Sequence, residues 1–198
     1  MTCMNNSLPP AVPGAAEHPS LALISTLFAV PGNDAVELLD GPIATTAWLV
    51  DHGLVPDDTR LQDYCHAKLT TLRSQLRHLF DAHLAGQTPD AQVLAEVNAA
   101  VRMVPQTLTL VHEPGRGFAR VTGHPVTQLV EHAMARIADD AAALLAGEEA
   151  GSLEQCGAPS CDRVFLRTHA RRHWCSTRCG DRVRAARAYA KKKQATTS

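Results

Sequence analysis

Four of the six cysteines in this 198-residue chain fall in one short stretch. Cys156-Gly-Ala-Pro-Ser-Cys161 makes one close pair and Cys175-Ser-Thr-Arg-Cys179 makes the other, with Asp162 to Trp174 between them. Four thiolates at this spacing suit tetrahedral Zn²⁺, which takes soft ligands from two short knuckles. Gly157, Pro159 and Ser160 let the first loop curl so that both sulfurs point inward. Cys175 and Cys179 are four apart, so both sit on one face of a nascent helix, whose N-terminal amides favour thiolate. With four cysteines as ligands, no coordination position stays open for catalysis, and the metal is structural. A redox pair or an iron–sulfur cluster is the other chemistry that such a set allows. His169 and His173 lie close enough to be weighed as ligands, but four cysteines already complete the site.

Charge separates this stretch from the rest. From Cys156 onward there are eleven Lys and Arg against Asp162 and Asp181, a balance of +9. The preceding residues carry eight basic and eighteen acidic side chains, a balance of −10. A basic tail on an acidic body points to a polyanionic partner, or to pairing between tail and body. Beyond Cys179, residues 181–194 read as a helix with Val183, Ala186 and Ala190 packing inward. Arg184, Arg187 and Lys191 follow at i, i+3 and i+7 and form one basic ridge. Such a ridge fits the DNA major groove, with guanine edges and phosphates as its targets. Arg171, Arg172, Arg178 and Arg182 are the further candidate contacts. Arg171 and Arg172 could equally buffer a doubly negative Zn–Cys₄ centre.

The elements that must position this site are mostly helical. Residues 1–19, with four prolines and little apolar periodicity, read as a flexible arm. Leu21 to Val30 reads as a short buried helix stopped by Pro31-Gly32-Asn33-Asp34. A second apolar segment covers Ala44 to Val50, with Gly53 as its C-cap. After Asp57-Asp58-Thr59 comes a long amphipathic helix. Its apolar stripe is Leu61, Cys65, Leu69, Leu72, Leu76, Leu79 and Phe80, with Arg73, Arg77 and Asp81 on the other face and Gly86 at the end. Thr88-Pro89-Asp90 opens another helix, with Val93, Leu94, Val97, Val101 and Val104 apolar, ended by Pro105. Thr107 to Thr122 alternates around Pro114-Gly115 as a β-hairpin. Gly123-His124-Pro125 breaks it, and a last long helix runs from Val126 to about Gly147. Residues 147–152 mark the boundary. The predicted fold class is therefore mainly α with one β-hairpin: a helical domain over 20–150, then a small treble-clef-like zinc finger over 151–194 ending in a basic helix.

Several classes are disfavoured. The longest apolar stretch, Leu21–Val30, is too short to span a bilayer. The N-terminus lacks the pattern of a signal peptide, so a cytoplasmic protein with reduced thiols is expected. There is no Gly-rich phosphate loop, no Gly-x-Ser-x-Gly elbow and no His-Glu-x-x-His. The histidines of the body are scattered, and no catalytic constellation emerges, so an enzyme is not expected.

The residues also resemble a known family. Phe165, Arg171-Arg172-His173-Trp174-Cys175-Ser176, Cys179-Gly180-Asp181-Arg182, Ala185 and Tyr189 look like the CGNR zinc finger. Asp181 stands in place of the motif Asn, and Arg167 where an acidic residue is common. In the body, Trp48-Leu49, Gly53-Leu54, Leu72-Arg73, Leu76-Arg77 and Asn98 look like the ABATE domain that usually precedes that finger. The resemblance covers about residues 20–190. It implies a stress-induced transcriptional regulator of bacteria, in the cytoplasm at the nucleoid, whose finger binds double-stranded DNA. The helical domain would sense a small-molecule effector or mediate homo-oligomerisation. The alternative is a zinc-stabilised interaction module that docks an acidic protein partner.

Val164, Phe165 and Trp174 supply only a miniature core, whereas structural Zn²⁺ contributes on the order of 10–16 kcal/mol in comparable small peptides. Chelation is therefore expected to unfold the C-terminal module, read as loss of helical circular dichroism. A signal unchanged by chelation would contradict a metal-built finger.

Overall fold

The computed structural model describes residues 10–30, 35–103, 108–122 and 128–197. Expectations for residues 1–9, for Pro31–Asp34, for Val104–Pro105 and Thr107, and for Gly123–Val126 lie outside these.

Among the described residues, six α-helices and three antiparallel strand pairs follow in chain order. Helix α1 is Pro19–Ile24, with proline in the first turn, where its missing N–H costs nothing. Strands β1 (Leu27–Phe28) and β2 (Val36–Glu37) pair where a continued helix to Val30 was expected. The reason lies in Thr26: its hydroxyl bonds back to the Leu23 carbonyl, and its carbonyl takes the Leu38 amide, so the chain turns extended. Helix α2 (Gly41–Asp51) closes on Gly53, which holds φ at 60°, a conformation that suits glycine. Helix α3 runs Asp63–Leu84 and α4 runs Ala91–Arg102. Asp90 caps α4 by accepting from the Gln92 and Val93 amides. The hairpin pairs β3 (Leu108–Glu113) with β4 (Gly117–Thr122) in the register Leu110↔Arg120. Helix α5 is Leu129–Ala146, and a 3₁₀ turn, Glu148–Ser152, leads into β5 (Leu153–Gln155), which pairs with β6 (Val164–Leu166). Helix α6 spans Thr177–Thr197.

Helix α3 is the central column, packed by α1, α2, α4 and α5. Its buried stripe of Leu69, Leu72, Leu76, Leu79 and Phe80 follows the helical period. Two apolar cores result. The larger one joins α1 to α5 and also takes Leu153, Val164 and Leu166 from the last strand pair. The smaller joins Phe165, Val183 and the cysteines to Val12, Ala15 and Ala22. Strand β6 thus lies between the two, buried on both faces. The body and the finger share a wall.

Two expectations need correction. Residues 10–18 are not a free arm. Val12 and Ala15 are buried, the Pro13 carbonyl accepts from the Leu166 amide, and His18 pairs with Asp140 of α5 at 2.9 Å. These residues strap the body to the finger. Arg73, assigned to the polar face of α3, is instead 6 % exposed. Its guanidinium grips the Glu37 carboxylate through two bonds, at 2.6 and 2.5 Å, and donates to Thr26 Oγ1 at 2.9 Å. Charge periodicity cannot distinguish a solvated Arg from one with a partner 36 residues away. This grip is what holds the short β1–β2 pair against α3.

Arg73 is buried but Glu37 keeps a third of its side chain exposed, so loss of the carboxylate leaves the guanidinium short of a charge-assisted partner that solvent replaces in part, at roughly 1–3 kcal/mol. Glu37→Ala is therefore expected to lower stability by about that amount in urea unfolding. Burial raises the Glu37 carboxyl pKa, but the hydrogen bonds from Arg73 and the Leu39 amide outweigh it, so the net shift is downward. The pair's contribution is thus complete above the ordinary carboxylate pKa. It is lost as pH falls through the lowered folded value. The variant should accordingly lose less stability on acidification than the parent chain.

Candidate metal centre and basic helix

The β5–β6 hairpin carries the first cysteine pair. Cys156 follows β5 directly, and its amide bonds the Arg163 carbonyl at 2.9 Å, so the ladder continues into the loop. The loop closes tightly, with the Cys161 amide on the Ala158 carbonyl and Ser160 at φ 59°. The second pair straddles the start of α6: Cys175 precedes it and Cys179 sits in its first turn. Ser176 caps that turn, its hydroxyl accepting from the Cys179 amide at 3.3 Å. The Gly157 amide bonds the His173 carbonyl at 3.0 Å and locks the two knuckles together.

The four sulfurs of Cys156, Cys161, Cys175 and Cys179 all lie within 4.8 Å of one another. The Cys161–Cys175 and Cys175–Cys179 separations are 3.8 and 3.7 Å. A disulfide needs about 2.05 Å. Four sulfurs about 2.3 Å from a tetrahedral Zn²⁺ would stand about 3.8 Å apart. The donor set therefore fits such an ion in number, type and spacing. The histidines weighed as ligands stay outside the cluster; His173 stands edge-on to Trp174 instead. Hydrogen bonds from Cys161 and Cys175 hold Cys156 far below an ordinary thiol pKa. Donation to Cys156 and Cys175, with burial, raises Cys161, and donation to Cys156 pushes Cys175 up to about 11.

The predicted basic contacts divide into two groups. Arg172 turns inward: its guanidinium donates to the Trp174 and Cys175 carbonyls at 3.3 Å and lies 5.9 Å from the Phe165 ring centroid. Arg182 also faces the cluster. It donates to the Pro159 carbonyl at 2.9 Å and approaches Cys179 Sγ at 3.9 Å, clamping one knuckle to the other. Arg171, Arg178, Arg184, Arg187 and Lys191 are exposed. Arg184 lies over the Trp174 ring and pairs with Asp181 at 2.6 Å. The residue that replaces the motif Asn thus orients an arginine. Of the three α6 residues expected to pack inward only Val183 is buried. Ala186 and Ala190 are exposed, because the helix runs beyond the edge of the smaller core.

Three contributors escaped the sequence reading. Ser176 had a signal, a serine three residues before Cys179. Gly180 has a packing reason: a Cβ there would lie 3.1 Å from the Trp174 ring and 3.0 Å from Arg184 Nη1. Asp162 had none. It accepts from the Ala29 amide at 3.0 Å and faces Arg77 at 3.8 Å, tying the finger to the body.

A helical body joined to a four-cysteine knuckle and helix defines a two-part protein with a zinc-finger-type C-terminal unit. Residues 17–148 match the ABATE family, described as "Putative stress-induced transcription regulator", and residues 152–192 match the CGNR zinc finger. The chain belongs to the ABATE family and carries a C-terminal CGNR zinc finger. No curated protein matches it. Among the described residues, no helix is long and apolar enough to cross a membrane.

A metal must displace the protons that Cys161 and Cys175 retain. Apparent Zn²⁺ affinity is therefore expected to rise with pH across the neutral range, with proton release on binding, measured by chelator competition. Cys156→Ser should lower that affinity by at least about tenfold, in line with the loss of a ligand or its support.

Proposed function

We propose that this protein is a zinc-dependent DNA-binding transcriptional regulator. Zn²⁺ on Cys156, Cys161, Cys175 and Cys179 is structural: it fixes the angle at which α6 leaves the finger. Four cysteines complete the tetrahedron, so the protein acts by binding and not by catalysis. The observation that carries this reading is α6 itself. Beyond Val183 its described side chains through Ala195 are exposed, and Arg184, Arg187 and Lys191 share one ridge. A helix anchored at its start in the smaller core, with arginines on its exposed face, suits the major groove. Arg171 and Arg178 extend the basic surface toward flanking phosphates. Arg172 and Arg182 support the metal platform from within, so their part in binding is indirect. The helical body supplies effector sensing or homo-oligomerisation, and the protein works at the cytoplasmic nucleoid.

If the five outward cations, Arg171, Arg178, Arg184, Arg187 and Lys191, neutralise phosphates, log K for duplex DNA should fall with log salt at a slope of roughly −4.5. Arg187→Ala should reduce the slope by about one, and Cys175→Ser or chelation should abolish binding. Undiminished binding by metal-free protein would sink the proposal. No duplex affinity at low salt, together with a stable complex with an acidic protein, would favour the docking-module alternative.

A further inference from the structure

The body, the strap and the finger together enclose a cleft of about 710 Å³. Its walls come from Val12 of the strap, Phe28 of β1, Trp48 of α2, Arg136 of α5 and Arg163 of the finger. A cavity of a few hundred Å³ with apolar walls and a few convergent polar groups is what small ligands occupy.

Arg163 is the unusual member. It is 5 % exposed, yet no carboxylate pairs with it among the described residues. Its Nη1 donates to the Pro10 carbonyl at 2.9 Å, and the guanidinium lies 5.1 Å from the Phe28 ring centroid. Its Nε has no hydrogen-bond partner among the described residues. Ser25, which lines the same cleft at 8 % exposure, likewise has an unpartnered hydroxyl there. A buried cation without a counter-ion is costly, and one carbonyl and one ring face compensate it only in part. Arg136 adds a second guanidinium, half-buried and held by the Gly53 carbonyl at 3.1 Å. The carboxylates on this cleft, Glu17 and Asp51, are exposed at its rim and solvated. The cleft also carries an aromatic surface, with Trp48 stacked on His52 at 4.2 Å between centroids.

We propose that this cleft binds a small organic carboxylate with an aromatic or apolar body. The carboxylate is held by the Arg163 guanidinium and the Ser25 hydroxyl, with Arg136 adding charge, and the body lies against Trp48 and Phe28. This assigns a place and a ligand class to the effector role proposed above, and it rests on that reading only for its consequence at DNA. The walls belong to both the body and the finger, so an occupant stiffens the seam from which α6 projects. Any resulting coupling between ligand and DNA is reciprocal.

The test is direct binding by the full-length, zinc-loaded chain with no DNA present, so it stands or falls apart from DNA recognition. The protein is titrated with benzoate, phenylacetate and acetate, and with benzamide as the uncharged isostere. The indole N–H resonance of Trp48 is followed by NMR and assigned with Trp48→Phe; Trp174 is the only other tryptophan. The aromatic carboxylates are expected to shift the Trp48 resonance saturably, with benzamide about tenfold weaker than benzoate or worse, as for a lost charge-assisted hydrogen bond. Arg163→Met should weaken benzoate by about tenfold and leave benzamide unchanged. Arg136→Ala, at a half-buried position outside the seam, guards against misfolding of the first variant and should weaken benzoate several-fold. Equal affinity for benzoate and benzamide would overturn the proposal. So would benzoate binding indifferent to both arginine variants, or the lack of a saturable shift at Trp48 with any carboxylate.

Discussion

Three consecutive residues, Val164, Phe165 and Leu166, form a strand buried on both faces, and the rest of the molecule is arranged around that burial. Alternation along a strand sends Val164 and Leu166 one way and Phe165 the other. The first two complete the leucine-rich core of the helical body, and Phe165 fills the core beneath the cysteines. A strand in that position cannot shift by one residue without exchanging its faces. Register, knuckle geometry and the docking of the body are therefore fixed together. The finger is one side of a continuous structure, not a bead on a linker.

This arrangement changes what the arginines do. A Cys₄ centre with Zn²⁺ carries excess negative charge in a small, partly dry volume. Arg182 and Arg172 are drawn to it and to the carbonyls around it, where their donors are satisfied at fixed distances. The cations left facing outward lie beyond Trp174 and along α6. Gly180 lets the ring of Trp174 lie close to the helix, and Arg184 covers that ring. The inner arginines rigidify the platform, while the outer ones set its surface potential. The same residue type thus serves two purposes within twenty positions.

The strap over residues 10–18 and the β6 strand also make the seam a place where binding can be felt. His18 and Ser20 both bond Asp140 of α5, Leu166 bonds Pro13, and Asp162 reaches Ala29. These are polar ties among elements of widely separated sequence. Such ties are more geometry-dependent than apolar packing. A cleft walled by the same elements is thus positioned to influence how the finger is held.

Local rules made much of this protein legible. The apolar stripe of α3, the helix start at Asp90, the glycine at position 53 and the hairpin of β3 and β4 are each decided within a few residues, and each appears where the pattern placed it. The cysteine quartet was equally readable, because metal ligands need particular atoms at short spacing, and the motif after Cys179 carried the family. The sequence could not disclose which charges are buried. Arg73 finds Glu37, Arg163 sits without a carboxylate partner among the described residues, and Arg182 reaches toward the sulfur of Cys179. In the sequence each is only another arginine in a polar position. The proline-rich, aperiodic look of residues 10–19 likewise hid Val12 and Ala15, whose burial depends on a surface made by strands some 150 residues later. Periodicity and ligand spacing are properties of neighbouring residues, so the chain alone determined its helices, its hairpin and its metal-ligand set. The pairing of charges and the sharing of a core are contacts across long loops, and only tertiary packing decided them.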